Sequence, residues 1–133
     1  MPSKSMLAKH RVLIIDNDTV CNTIHCLFLT KMGFKKIDIA RCGADAISQA
    51  TQVNYSLILL EISLPDINGY KVCKSIRKLN KHKNTPLIAV TTFIDKSIKD
   101  SCKAYDICEV ITKPLSYPTY KKALLKNLSL KNQ

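Results

Sequence analysis

Seven polar residues could do chemistry together: Asp16, Asn17, Asp18, Glu61, Thr91, Thr92 and Lys113. Each closes an apolar run. Carboxylate oxygens suit a hard cation such as Mg²⁺, while a lysine ammonium and a threonine hydroxyl suit phosphoryl oxygens. Polar residues at such positions also serve as helix caps in any domain of alternating strands and helices, and spacing alone does not separate the two readings. One class of chemistry is disfavoured. No glycine-rich turn follows Ile15; Asp16-Asn17-Asp18-Thr19 stands in its place, which argues against a dinucleotide site, a P-loop or a flavodoxin-type flavin site.

These residues are spread over about a hundred positions, so the fold must gather them. Five short apolar runs read as strands: Val12 to Ile15, Ile37 with Ile39, Ser56 to Leu60 ending at Glu61, Leu87 to Val90 running into Thr91, and Val110 with Ile111. Periodic stretches between them predict helices. The first starts at an Asp18 cap, shows Val20, Ile24, Leu27 and Phe28 as its apolar positions, and stops at Gly33. The second covers 43–52 with Ala46, Ile47 and Ala50, and the third covers 69–79 with Val72, Cys73, Ile76 and Leu79 facing inward. Asp95 caps a fourth that reaches about Tyr105, and Ser116 caps the last, which carries Tyr120, Leu124 and Leu128. Five such units predict an α/β fold, a doubly wound parallel sheet with helices on both faces. In such a sheet the site lies at the carboxyl ends of the strands, where the seven residues fall.

The chain has 133 residues with 21 Lys+Arg against 10 Asp+Glu, a formal charge of +11, and is 46% apolar. This suits one domain with a real core and excludes disorder as the default. No apolar run approaches the ~20 residues that span a bilayer, so no membrane association is expected. The start lacks a signal-peptide stretch, and six cysteines without a CxxC pair read as free thiols; both point to the cytoplasm. Cys21 and His25 stand four apart with Cys26 beside them, but no further ligand follows at zinc spacing. Packed thiols and a surface histidine are expected there, not a metal. Basic residues cluster, with six between Lys71 and Lys83 and five over 112–133, and no acid in either stretch. Nucleic acid is one partner for such a surface, yet no helix-turn-helix or similar signature appears, so a solvated lysine-rich surface is the expectation. Tyr70 is expected to pack over the start of the third helix, and Tyr105 and Ile107 to add to a recognition surface.

Four segments carry a resemblance: VLIIDND (12–18), YSLILLEISLPDINGYKVCKSIR (55–77), TPLIAVTT (85–92) and ITKPLS (111–116). From about Arg11 to Leu130 the chain resembles the receiver domain of two-component response regulators, most closely those attached to hybrid sensor kinases. The resemblance implies a flavodoxin-like five-stranded sheet of strand order 2-1-3-4-5, with residues 1–10 and 131–133 as tails around a domain of 11–130. It implies that Asp16 is the first acidic position, Thr91 the hydroxyl and Lys113 the lysine that contact a phosphoryl group. It also implies a cis peptide at Lys113–Pro114, and a face for partners or dimers made by the fourth helix, fifth strand and last helix.

Two departures from that pattern carry consequences. The phosphoacceptor position holds Glu61 in place of Asp, and the second acidic position holds Asn17. A glutamate carries its carboxylate about 1.5 Å further out, and positioning errors near 1 Å cost phosphoryl transfer about 10²-fold. The Mg²⁺ site, formed by Asp16 and Glu61, is therefore expected to be weak or absent, with Asp18 able to help only by giving up its cap. Glu61 is expected to reach Lys113 and form a standing ion pair. The aromatic switch position is Val110, and Asp106 stands where the family has a glycine.

The expected function is thus a degenerate receiver in phosphorelay signalling, not an enzyme, not phosphorylated, and free of a cofactor. Its expected partners are a histidine kinase, a phosphotransfer protein or another signalling protein, with a homodimer also compatible. A still-active phosphoacceptor is the alternative, and a basic nucleic-acid-binding module is the second.

Overall fold

In the computed structural model, which describes residues 2–92 and 94–131, five parallel strands form one sheet in the order β2-β1-β3-β4-β5. The strands are β1 (Arg11–Ile15), β2 (Lys36–Ala40), β3 (Leu57–Glu61), β4 (Leu87–Thr91) and β5 (Glu109–Thr112). The helices are α1 (Lys4–Leu7), α2 (Thr19–Met32), α3 (Gly43–Gln52), α4 (Gly69–Arg77), α5 (Lys96–Ala104) and α6 (Tyr117–Lys131), with a 3₁₀ turn at Asn80–His82. The expected topology is the observed one.

Parallel pairing fixes which residues end together. β1 runs beside β3 with Ile15 opposite Leu60, and β3 beside β4 with Glu61 opposite Val90. All five residues of β3 and of β4 are buried, as strands covered on both faces must be. Side-chain alternation then sorts the core into two layers. Val12, Ile14, Leu57, Leu59 and Ile88 pack against α2 and α6, and Leu13, Ile15, Ile58, Leu60 and Leu87 against α3, α4 and α5.

At α2, α4 and α5 the caps are those that residue types predict. Asp18 accepts hydrogen bonds from Val20 N–H and Cys21 N–H, Asn68 from Tyr70 N–H, and Asp95 from Ile98 N–H. Gly33 ends α2 at φ 118°, a left-handed geometry that favours glycine, and a Cβ there would also lie 2.9 Å from Lys4 Cα.

Five expectations need correction. The helix that Asp18 caps, α2, does not bury Val20 and Leu27, which are 69% and 64% exposed; its buried residues are Cys21, Asn22, His25, Leu29 and Met32. That helix is apolar around most of its circumference, so periodicity does not choose a face. Two polar contacts do: Asn22 Nδ2 donates to the Asp16 carbonyl, and His25 Nδ1 meets the Tyr120 hydroxyl at 2.8 Å. His25 is accordingly buried, not at the surface. The segment before β1, expected as an N-terminal tail, forms α1 and buries Leu7 in the α2–α6 layer. Ile107 is buried rather than part of a recognition surface, while half-buried Tyr105 stacks on Tyr70 at 5.2 Å. Within the last three residues, expected as a C-terminal tail, Lys131 closes α6, and positions 132–133 lie outside the described residues.

Candidate functional site

The carboxyl ends of β1, β3, β4 and β5 bring Asp16, Glu61, Thr91 and Lys113 to one edge of the sheet. Asp16 follows the last residue of β1 and is 2% exposed, while Glu61 ends β3 at 7%. Lys113 follows β5, where its N–H donates to the Thr91 carbonyl at 2.8 Å. The bond from Lys113 to Pro114 is cis, as expected. Thr91 is buried at the end of β4, Thr92 is exposed, and Val110 is half-buried within β5.

Lys113 is the hub. Its Nζ lies 2.8 Å from Glu61 Oε1 and 2.9 Å from Asp16 Oδ2, and its side chain is 15% exposed. Burial works against the ammonium, yet hydrogen bonds to Glu61 and Asp16 and their charges outweigh it and hold its pKa above the ordinary lysine value. The remaining carboxylate oxygens are committed to the backbone. Asp16 Oδ1 accepts from Asp18 N–H at 2.9 Å, and Glu61 Oε2 from Ser63 N–H at 3.2 Å.

The other acidic-pocket positions point elsewhere. Asn17 is exposed, and its carbonyl accepts from Arg41 Nη2 at 2.9 Å. The Asp18 carboxylate is spent on the α2 cap. Mg²⁺ demands near-octahedral oxygen ligation at about 2.0–2.1 Å. Here both inward carboxylates are engaged by one ammonium and a second aspartate is missing, so the residues fit that ion poorly.

Two side chains that spacing did not join to this site lie against it. Cys21 and His25, on the inward face of α2, place their ligating atoms and that of Asp16 within 4.8 Å of one another. Burial raises the Cys21 thiol to about 11 and lowers the His25 imidazole to about 4; in both, neighbouring Asp16 and Lys113 add smaller and opposing effects. The signal available in the sequence was the four-residue step from Cys21 to His25. The third partner is remote in the pattern because it belongs to a strand.

A shallow cavity of about 320 Å³ opens beside Lys113, between Val20, Cys21 and Ile24 of α2 and Leu115. Another, of about 350 Å³, lies at the opposite ends of the strands by His10, Ser56 and Thr85, and no carboxylate lines it.

Comparison with known proteins follows the same outline. The chain is 31% identical over 121 residues to a probable transcriptional regulator, ycf29, of Porphyra purpurea, covering 90% of this chain and 56% of that protein. It is 26% identical to the signal transduction histidine-protein kinase BarA of Shigella flexneri, over 92% of this chain and 13% of the kinase. The chain thus spans between about an eighth and just over half of these curated relatives. Among solved structures, a two-component response regulator from Clostridium difficile superposes with a TM-score of 0.86 at 26% identity, covering 94% of this chain and all of that one. The receiver domain of the sensor histidine kinase PA1611 from Pseudomonas aeruginosa, solved with a magnesium ion in its active-site cleft, shares the fold at a TM-score of 0.82 and 21% identity, over 90% of this chain and 98% of that one. The family model for the response regulator receiver domain matches residues 12–125. That span takes in all five strands but for the first residue of β1, and all but the first and the end of the last helix, and the chain belongs to the response regulator receiver domain family of two-component signalling.

Proposed function

We propose that this receiver is held in one state by its own ion pair and serves as a protein-interaction module in a phosphorelay, not as a phosphoacceptor. One observation carries the reading: Lys113 Nζ sits 2.8 Å from Glu61 Oε1 while also holding Asp16. The lysine that would meet an incoming phosphoryl group is already neutralised, and the carboxylate that would attack is bound at both oxygens. In-line transfer needs a free, positioned nucleophile and a neutralised phosphoryl group. Neither condition is met, and a weak or absent Mg²⁺ site removes the usual charge clamp. The module is not an enzyme on this account and works in the cytoplasm.

Its partner is a histidine kinase or phosphotransfer protein of the relay. Exposed Leu27 and Ile39 line a shallow cavity of about 380 Å³ between α2 and β2, and with exposed Val20, which borders the Lys113 cavity, they support a docking face there. Large apolar side chains held out in water mark contact surfaces when they cluster. The α5–β5–α6 face remains open to a second copy.

Incubation with acetyl phosphate and Mg²⁺, followed by intact mass, tests the reading. The protein is expected to keep its mass. An added phosphoryl group that disappears in Glu61→Gln establishes the active phosphoacceptor instead.

A further inference from the structure

The strand-end site holds more negative charge than its lysine neutralises. Asp16 and Glu61 share one ammonium, so one full negative charge remains in a buried place. Asp16 Oδ2 has no hydrogen bond of good geometry beyond that ion contact. Beside this carboxylate lie a thiol and an imidazole, Cys21 at 5% and His25 at 1% exposure, with the three ligating atoms within 4.8 Å of one another. The geometry points to a site for one thiophilic divalent ion of the Zn²⁺ class, held by Asp16, Cys21 and His25.

The donor set selects the ion. A carboxylate, a thiolate and an imidazole are the three ligand types Zn²⁺ takes in proteins, at about 2.0–2.3 Å. Mg²⁺ and Ca²⁺ prefer oxygen alone. The positions are rigid where rigidity matters. Cys21 and His25 lie one turn apart on the inward face of α2, and Asp16 is fixed by the hydrogen bond from Asp18 N–H. His25 Nδ1 meets the Tyr120 hydroxyl at 2.8 Å, the kind of outer partner that orients an imidazole ligating through its other nitrogen. To reach bonding distance the three atoms must close by about 1 Å. The cavity of about 320 Å³ lined by Cys21 and Lys113 brings solvent to the thiol and gives an ion its entry path.

Charge and proton balance close as well. The ion binds as the Cys21 S–H bond breaks and its proton leaves to solvent, while the sulfur electron pair forms the metal–sulfur bond. Asp16 Oδ2 exchanges its contact with Lys113 for the ion, whose two positive charges offset the new thiolate and the leftover carboxylate charge, while Lys113 stays on Glu61. This site shares Asp16 with the oxygen-only one the family keeps for Mg²⁺ and differs from it in its other two ligands, a thiol and an imidazole on the inward face of α2.

Titration of the metal-stripped full chain with Co²⁺, followed by optical absorption, is the test. One equivalent is expected to produce a thiolate charge-transfer band and visible d–d bands, displaced by Zn²⁺ and unaffected by excess Mg²⁺. Cys21→Ser and His25→Gln lose the bands, exposed-thiol control Cys108→Ser keeps them, and Tyr120→Phe weakens binding about tenfold. X-ray absorption of the Zn²⁺-loaded unmodified protein reads the same ligands without a substitution and is expected to show one sulfur with nitrogen and oxygen neighbours. No charge-transfer band, a band that survives in folded Cys21→Ser, or two or more sulfurs around the zinc overturns the assignment.

Discussion

Lys113 serves two buried carboxylates at once, and removing different members of that trio has very different costs. Lys113→Met leaves Asp16 and Glu61 facing each other without a cation, and breaking a buried pair this way costs about 3–5 kcal/mol. Glu61→Gln removes the surplus charge and leaves Asp16 and Lys113 matched one to one, so its cost stays within about 1 kcal/mol. Urea unfolding of the two variants checks the contrast; similar losses would show that the pair is not the hub. A second residue stores strain. Asp106 sits at φ 57°, left-handed backbone that costs a side-chain-bearing residue up to about 1–2 kcal/mol, somewhat less for aspartate. Asp106→Gly is expected to raise stability by about 0.5–1 kcal/mol in the same assay, while Arg77 keeps its bond to the carbonyl of that residue. Glu61, Asn17 and Asp106 were legible in the sequence because each replaces a residue type in a recognisable motif. Cys21 and His25 were not, since their meaning depends on which way α2 is turned.

At the scale of elements, α2 shows why periodicity fell short. Its apolar residues surround the helix, and the face that packs is chosen by the Asn22 bond to the Asp16 carbonyl and the His25 contact with Tyr120. The corrected face makes an opposed pair of predictions. Leu27→Asp changes stability by no more than about 0.5 kcal/mol because that side chain is exposed. Leu29→Ala costs about 2–5 kcal/mol because that one is fully buried. Thermal or urea unfolding of both decides which stripe faces the sheet. Short buried strands were read well, since apolar runs closed by polar residues have few other readings. The clamp at α3 could not be read, because Asp66 reaches back across 23 residues to accept from Gly43 N–H at 2.7 Å and from Ala44 N–H at 3.0 Å. No local pattern announces a cap supplied from another loop.

Across the whole molecule, each face of the sheet encloses one neutral histidine. His25 sits on the inward face of α2 against α6, and His82 ends the 3₁₀ turn, where its Nε2 reaches the Ala50 and Val53 carbonyls at 3.0 Å. Burial lowers both imidazole pKa values from the ordinary 6.5, that of His25 to about 4. The unfolded chain therefore binds protons that the folded one refuses, and stability falls as pH drops from about 6.5 toward 4, by up to about 3 kcal/mol from His25 alone. Unfolding midpoints at pH 7 and pH 5 measure the fall, and His25→Gln makes it shallower. The charge of +11 belongs to this scale too. Lys71, Lys74, Lys78, Lys81 and Lys83 are exposed along α4 and the turn after it, away from the strand-end site, so they shape the outer surface and leave the Lys113 trio to its own balance. The claim that joins these scales is that Glu61, with Asn17, has turned a phosphoacceptor pocket into a standing ion pair. Intact mass after acetyl phosphate and Mg²⁺, run on the unmodified chain and on Asn17→Asp/Glu61→Asp, tests it most directly. A phosphoryl group gained by the double variant alone is the predicted result, and one gained equally by the unmodified chain contradicts the account.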